Sequence, residues 1–167
     1  NTIHQLAAGE FFGVQPGTNT SGPNGVITAN NHKEVWAADG VQCSNPLPAT
    51  GTGTCGTVLQ TSRIQVIDLK TGEVTHTIDN GGQRRADELC VDPQHHVVLV
   101  ANDDELDLFL TFISTNTYKI VGTIKLDGTD SNAQKIKATG GIEQCQWSPR
   151  TGKFYLAIPE VNGGSNP

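Results

Sequence analysis

The stretch Glu88-Leu-Cys-Val-Asp-Pro-Gln-His-His-Val-Val-Leu-Val-Ala-Asn102 decides the fold. Two apolar segments of strand length flank a Pro-containing turn. The chain repeats this design as Glu143-Gln-Cys-Gln-Trp-Ser-Pro-Arg-Thr-Gly-Lys-Phe-Tyr-Leu-Ala157, with one residue inserted before Pro149. Upstream, Gly25-Val-Ile-Thr-Ala-Asn-Asn-His-Lys-Glu-Val-Trp-Ala-Ala-Asp39 fits the same template without a gap. A second half-unit recurs as well: Val66-Ile-Asp-Leu-Lys-Thr-Gly-Glu-Val-Thr-His-Thr-Ile78 matches Phe112-Ile-Ser-Thr-Asn-Thr-Tyr-Lys-Ile-Val-Gly-Thr-Ile124.

Working outward, short runs rich in Val, Ile, Thr and aromatics alternate with turn residues, the pattern of antiparallel strands. Predicted strands are Gly25 to Ala29, Glu34 to Ala38, Arg63 to Asp68, Val74 to Ile78, Leu89 to Asp92 and Val97 to Asn102. Leu108 to Ser114, Ile120 to Leu126, Glu143 to Trp147 and Lys153 to Ile158 follow. Gly72 and Gly152 fall where hairpins need a positive φ, and Pro93 and Pro149 fix φ at the start of turns. Only Ser131 to Ala138 hints at a helical turn, with a loop as the alternative. The predicted class is all-β. Four antiparallel strands recurring at about 50 residues are the mark of β-propeller blades.

The blade arithmetic sets an expectation about length. Propellers close with about 4 to 8 blades, whereas 167 residues supply two blades and the first half of a third. Residues 1–23 form an N-terminal segment, with an outer strand of the closing blade as one assignment. Blade one is 24–80, blade two 81–127, and 128–167 the first half of blade three, ending in a loop after Ile158. The expectation is an incomplete domain, about two and a half blades of a six- to eight-bladed ring. Its partners would be the remaining blades, in a longer chain or a second chain. The start at Asn1 without Met fits a trimmed chain.

Composition narrows the function. No apolar run approaches the roughly 20 residues that span a bilayer, so no membrane span is expected. A net charge of −6, with scattered Lys and Arg, argues against nucleic acid, which selects a basic face. Hydrophobic content of 35% in regular runs argues against disorder. Four cysteines among abundant Thr, Asn and Gly suit an oxidising compartment, extracellular or periplasmic. Cys43 and Cys55 flank a Pro/Gly/Thr-rich stretch that a bridge would order. Cys90 and Cys145 would then form the second pair, or pair elsewhere. No Cys/His spacing supports zinc.

The segments "VIDLKTGEVTHTI", "CVDPQHHVVLVAN" and "QWSPRTGKFYLAI" resemble the repeats of the YVTN/YncE-like secreted β-propellers, with SMP-30/gluconolactonase-type propellers as a more distant similarity. The resemblance covers about residues 24 to 158 and implies fold more than function, because propellers host binding proteins, lyases, hydrolases and scaffolds alike. The Tyr-Val-Thr-Asn signature is degenerate here, as Leu99-Val-Ala-Asn102 and Leu156-Ala-Ile-Pro159.

Candidate chemistry centres on Glu88 and Glu143, equivalent in the repeat alignment, with Gly25 as the first copy's counterpart. Equivalent innermost positions converge in a propeller, and two carboxylates there suit a hard divalent cation such as Ca²⁺ or a polarised water for hydrolysis. The SMP-30 similarity implies an acidic ring of this kind around one metal. The competing reading has both glutamates solvated and paired with Arg84 or Arg85. Asp103, Asp104 and Asp107 form an acidic cluster at the turn between the second and third strands of blade two, a surface calcium site or a plain hydrated turn; its spacing matches no EF-hand. His95 and His96 read as surface residues, and His4, His32 and His76 as isolated ones. Gly81-Gly82 and Gly140-Gly141 serve turns. Asn19-Thr20-Ser21 fits the N-glycosylation pattern. Trp36, Trp147, Phe154 and Tyr155 suit packing between blades. Catalytic residues are not assigned. The expected role is a binding or interaction module with an unidentified ligand. A metal-dependent lactonase or esterase-type hydrolase and a structural extracellular component stand as alternatives.

Overall fold

The computed structural model describes residues 11, 23–43, 57–103 and 108–165. The strands are β1 (Val26–Ala29), β2 (Glu34–Asp39), β3 (Gln42–Cys43), β4 (Val58–Gln60), β5 (Arg63–Asp68), β6 (Val74–Asp79), β7 (Ala86–Asp92) and β8 (Val97–Asn102). They continue as β9 (Phe109–Ser114), β10 (Ile120–Lys125), β11 (Cys145–Ser148), β12 (Lys153–Leu156), β13 (Glu160–Val161) and β14 (Gly164–Ser165). Among the described residues there is no helix: the fold is all-β, and Ser131 to Ala138 is a turn rather than a helical segment.

Every strand pair is antiparallel. The first sheet has the order β1-β2-β5-β6, with the β3–β4 pair inserted between its second and third strands. The second runs β7-β8-β9-β10. A third begins as the pair β11–β12.

Three hairpins, β5–β6, β7–β8 and β9–β10, share one closure. Asp68 Oδ1 accepts from the N–H groups of Lys70 and Thr71, both at 2.8 Å. Asp92 Oδ1 accepts from Gln94 at 2.9 Å and His95 at 3.1 Å, and Ser114 Oγ from Asn116 and Thr117, both at 3.3 Å. Four residues after each acceptor, and four after Ser148, the backbone turns left-handed, at Gly72, His96, Tyr118 and Gly152. The short polar side chain satisfies the turn's N–H groups, so the positive-φ position need not always be glycine.

The second sheet is buried on both faces, a direct result of the two-residue period of a strand. On β8, Val98 and Val100 join Trp36, Ile64, Val66 and Ile78 of the first sheet in one core. The alternate residues Leu99 and Ala101 join Leu126, Ala138 and Ile142 in a second core, against which Phe154 and Leu156 pack. Each Val, Leu or Ile side chain among them contributes about 1.5–3 kcal/mol when fully buried. The disulfide Cys90–Cys145 ties β7 to β11 across this second core. Trp147 and Phe154 pack in a tilted pair with ring centroids 4.8 Å apart, and Phe154 reaches Phe112 at 6.1 Å. Tyr155, assigned to packing from sequence, is 53% exposed on the far face of β12.

Polar side chains also bind the first two sheets together. Ser62, Asn80, Asn102 and Thr111 form a buried chain: Ser62 Oγ donates to Asn80 Oδ1, Asn80 Nδ2 to Asn102 Oδ1, and Asn102 Nδ2 to Thr111 Oγ1. Elsewhere, the Tyr118 hydroxyl donates to Glu34 Oε1 at 2.7 Å while its ring stacks on His76 at 3.7 Å.

The loop expected after Ile158 is instead the small β13–β14 hairpin. The Thr139 N–H donates to the Glu160 carbonyl and the Asn162 N–H to that of Lys137, so this segment pairs back on residues 137–139.

Candidate functional site

The first strands of the successive sheets lie side by side. The Gly25 N–H donates to the Asp87 carbonyl at 3.0 Å, the Val41 N–H to that of Arg84 at 2.9 Å, and Gly40 bridges Arg85. On β7 the register with β8 shifts between Ala86 and Leu89. This irregularity takes Asp87 and Glu88 out of the regular alternation, as β-bulges near functional sites do.

Arg85 organises the charges beside it. Its Nη2 lies 3.2 Å from Asp87 Oδ2 and also holds Asp103 Oδ2. Asp103 follows the end of β8, directly after Asn102 of the buried polar chain, and is itself buried. Its second oxygen, Oδ1, is buried without a hydrogen-bond partner. Burial pushes the Asp87 carboxyl up to about 6; Asp103, Glu88 and Glu143 add to the push and Arg85 opposes it. Burial works against the Arg85 cation too, yet the hydrogen bond to Asp103 and the charges of Asp103, Asp87 and Glu143 outweigh it and hold its pKa above the ordinary value.

A cleft of about 570 Å³ opens on this cluster. Leu108, Leu126 and Ala138 give it an apolar floor, Arg85, Asp103, Asp127, Lys137 and Glu143 supply charge, and Thr139, Gly140 and Gly141 complete the wall. Gly141 has a φ of +94°, and a Cβ on it would stand 3.2 Å from Asp103 Oδ1. Glycine therefore packs close against that oxygen, with no Cβ to crowd it, and takes a backbone conformation that L-residues avoid.

Glu143 lies in this cleft, whereas half-buried Glu88 does not line it, although both carboxylates act on Asp87. Among the described residues no three His, Cys, Asp or Glu side chains are placed to hold a metal ion together. Glu88 and Glu143 supply two carboxylates, fewer than the oxygen donors a divalent cation takes. Of the acidic cluster, Asp103 is in the cleft; Asp104 and Asp107 lie outside the described residues, as do Cys55 of the expected Cys43–Cys55 bridge, His4 and Asn19. His95 is 70% exposed, its Nδ1 2.7 Å from Asp92 Oδ2, and serves its own turn.

The sequence reading did not assign Asp87, Asp127, Lys137 and Thr139 to a site. Asp87 adjoins Glu88, but only the bulge on β7 makes it the buried partner of Arg85. No protein-family model matches the chain, and no curated protein matches it. No helix among the described residues is long and apolar enough to cross a membrane.

Proposed function

We propose that the protein is a ligand-binding module of the β-propeller type, extracellular or periplasmic, and that the cleft beside Arg85 and Asp103 is its binding site. The observation that carries the reading is half-buried Arg85 paired with buried Asp103 at the wall of a cleft with an apolar floor, with buried Asp87 behind them. Binding sites combine a concave apolar surface with a few placed polar groups, and charges are buried only where they are paired or where a ligand completes them.

Three features support the propeller. The sheets follow one another with the same antiparallel order, the second is covered on both faces by its neighbours, and their first strands adjoin. The YVTN/YncE-like resemblance points the same way. In a ring of this kind a further sheet would cover Tyr155 on the far face of β12, supplied by a longer chain or a second one. The Cys90–Cys145 bridge supports an oxidising compartment.

The experiment is a ligand-observed NMR screen of a neutral, cationic and anionic fragment library against the wild type and Thr139→Trp. Thr139 is an exposed wall residue where an indole narrows the cleft; its Oγ1 accepts from the Gly163 N–H at 3.1 Å, so circular dichroism checks that the variant keeps the fold. Binding lost in Thr139→Trp supports the module; binding kept in full places the site elsewhere. Hydrolysis of lactones or esters that depends on added Ca²⁺ and is lost in Glu143→Gln would instead select the hydrolase.

A further inference from the structure

We infer that the cleft carries a seat for an alkylammonium group, with Asp103 Oδ1 as its anionic acceptor. The inference rests on the cleft being a binding site and names the class of ligand it takes. Asp103 has a side chain 8% exposed and two oxygens in different states: Arg85 holds Oδ2, while buried Oδ1 has no partner. A desolvated carboxylate oxygen left unmatched is unfavourable, and the missing partner is a hydrogen-bond donor, by preference a charged one.

The surroundings select among donors. Gly141 is the cleft residue packed against Oδ1, where a Cβ would crowd the oxygen at 3.2 Å. Three carboxylates line the cleft, Asp103, Asp127 and Glu143, against two cations, Arg85 and Lys137, so its field favours a positive guest. A metal ion needs several oxygen donors around one point, and no group of three is so placed among the described residues. An ammonium needs fewer, since its three N–H donors can be shared between Asp103 and water or Glu143. Leu108, Leu126 and Ala138 offer an apolar surface for an aliphatic stem carrying that charge. A free primary amine and a lysine side chain share this chemistry.

The test titrates n-hexylamine hydrochloride, Nα-acetyl-lysine methylamide, n-hexanol and CaCl₂ into the wild type, Asp103→Asn and Glu143→Gln, with binding read by NMR and folding by circular dichroism. The wild type is expected to bind at least one of the two ammonium probes tenfold or more tightly than hexanol. Asp103→Asn should weaken that probe tenfold or more, and Glu143→Gln by about threefold. The tighter ammonium probe assigns the source as a free amine or a lysine side chain. Should Asp103→Asn fail to fold, the wild-type contrast between hexylammonium and hexanol decides alone. Equal binding of the two overturns the cation seat while leaving a binding cleft. Calcium that displaces the amine overturns it in favour of a metal site. If none of the four probes binds and the fragment screen is also empty, the binding reading fails with it.

Discussion

The amide of Gly25 donates to the carbonyl of Asp87 at 3.0 Å, and a Cβ on Gly25 would run into that same oxygen and stand 2.8 Å from Leu89 Cδ1. This close approach joins the first sheet to the second next to the charged cluster. It also explains why the first repeat carries glycine where the later two carry Glu88 and Glu143: only a residue without a side chain fits against the neighbouring backbone.

Gly25→Ala is therefore expected to cost about 1–3 kcal/mol, the range for forcing atoms into a packed site. Chemical denaturation checks it. A change below about 0.5 kcal/mol would mean that the two first strands separate without penalty.

The raised Asp87 pKa makes stability depend on pH. Its folded value of about 6 exceeds the ordinary 3.8, so the folded protein binds the proton more tightly than the unfolded chain does. The contribution of this group is complete below about pH 3.8 and is lost as pH rises toward 6 and beyond. Asp87→Asn, which cannot ionise, should be more stable than the wild type at pH 7.5 by on the order of 1–2 kcal/mol. That advantage should vanish near pH 3.5. Denaturation midpoints across this range measure it, and an advantage that instead grows toward low pH would reverse the assignment.

Cys90–Cys145 closes 55 residues of chain, and a loop of that size gives about 4 kcal/mol in the chain-entropy picture. Replacing both cysteines with serine should cost about 2–4 kcal/mol. Amide exchange should quicken first in β11 and β12, whose pairing with the rest of the fold runs through the second core. Unchanged exchange there would show that packing of Phe154 and Leu156 suffices without the bridge.

Much of the fold was legible in the residues, and for physical reasons. Arg63–Asp68 and Val97–Asn102 came out with the predicted ends because alternation, β-branched content and a polar turn acceptor agree there. β3, β4, β13 and β14 did not, since strands of two or three residues carry too little periodicity to read. The site was half legible. Repeat alignment brought out Glu143, which lines the cleft, and Glu88, which does not. The competing reading paired those glutamates with Arg84 or Arg85; Arg85 holds Asp87, its near neighbour in sequence, and Asp103, which the β7–β8 hairpin brings beside it, while Glu143 acts on it through charge. A one-residue irregularity on β7 decides which carboxylate faces that cation, and sequence spacing does not encode it.

The most direct measurement is an amide chemical-shift map of the wild type titrated with the tightest fragment from the screen. Binding in the cleft predicts that the largest shifts fall on Asp103 and on Ala138, Thr139, Gly140 and Gly141, with the β12 face around Tyr155 unmoved. Shifts gathered on that face, with residues 138–141 unchanged, would contradict the proposed site.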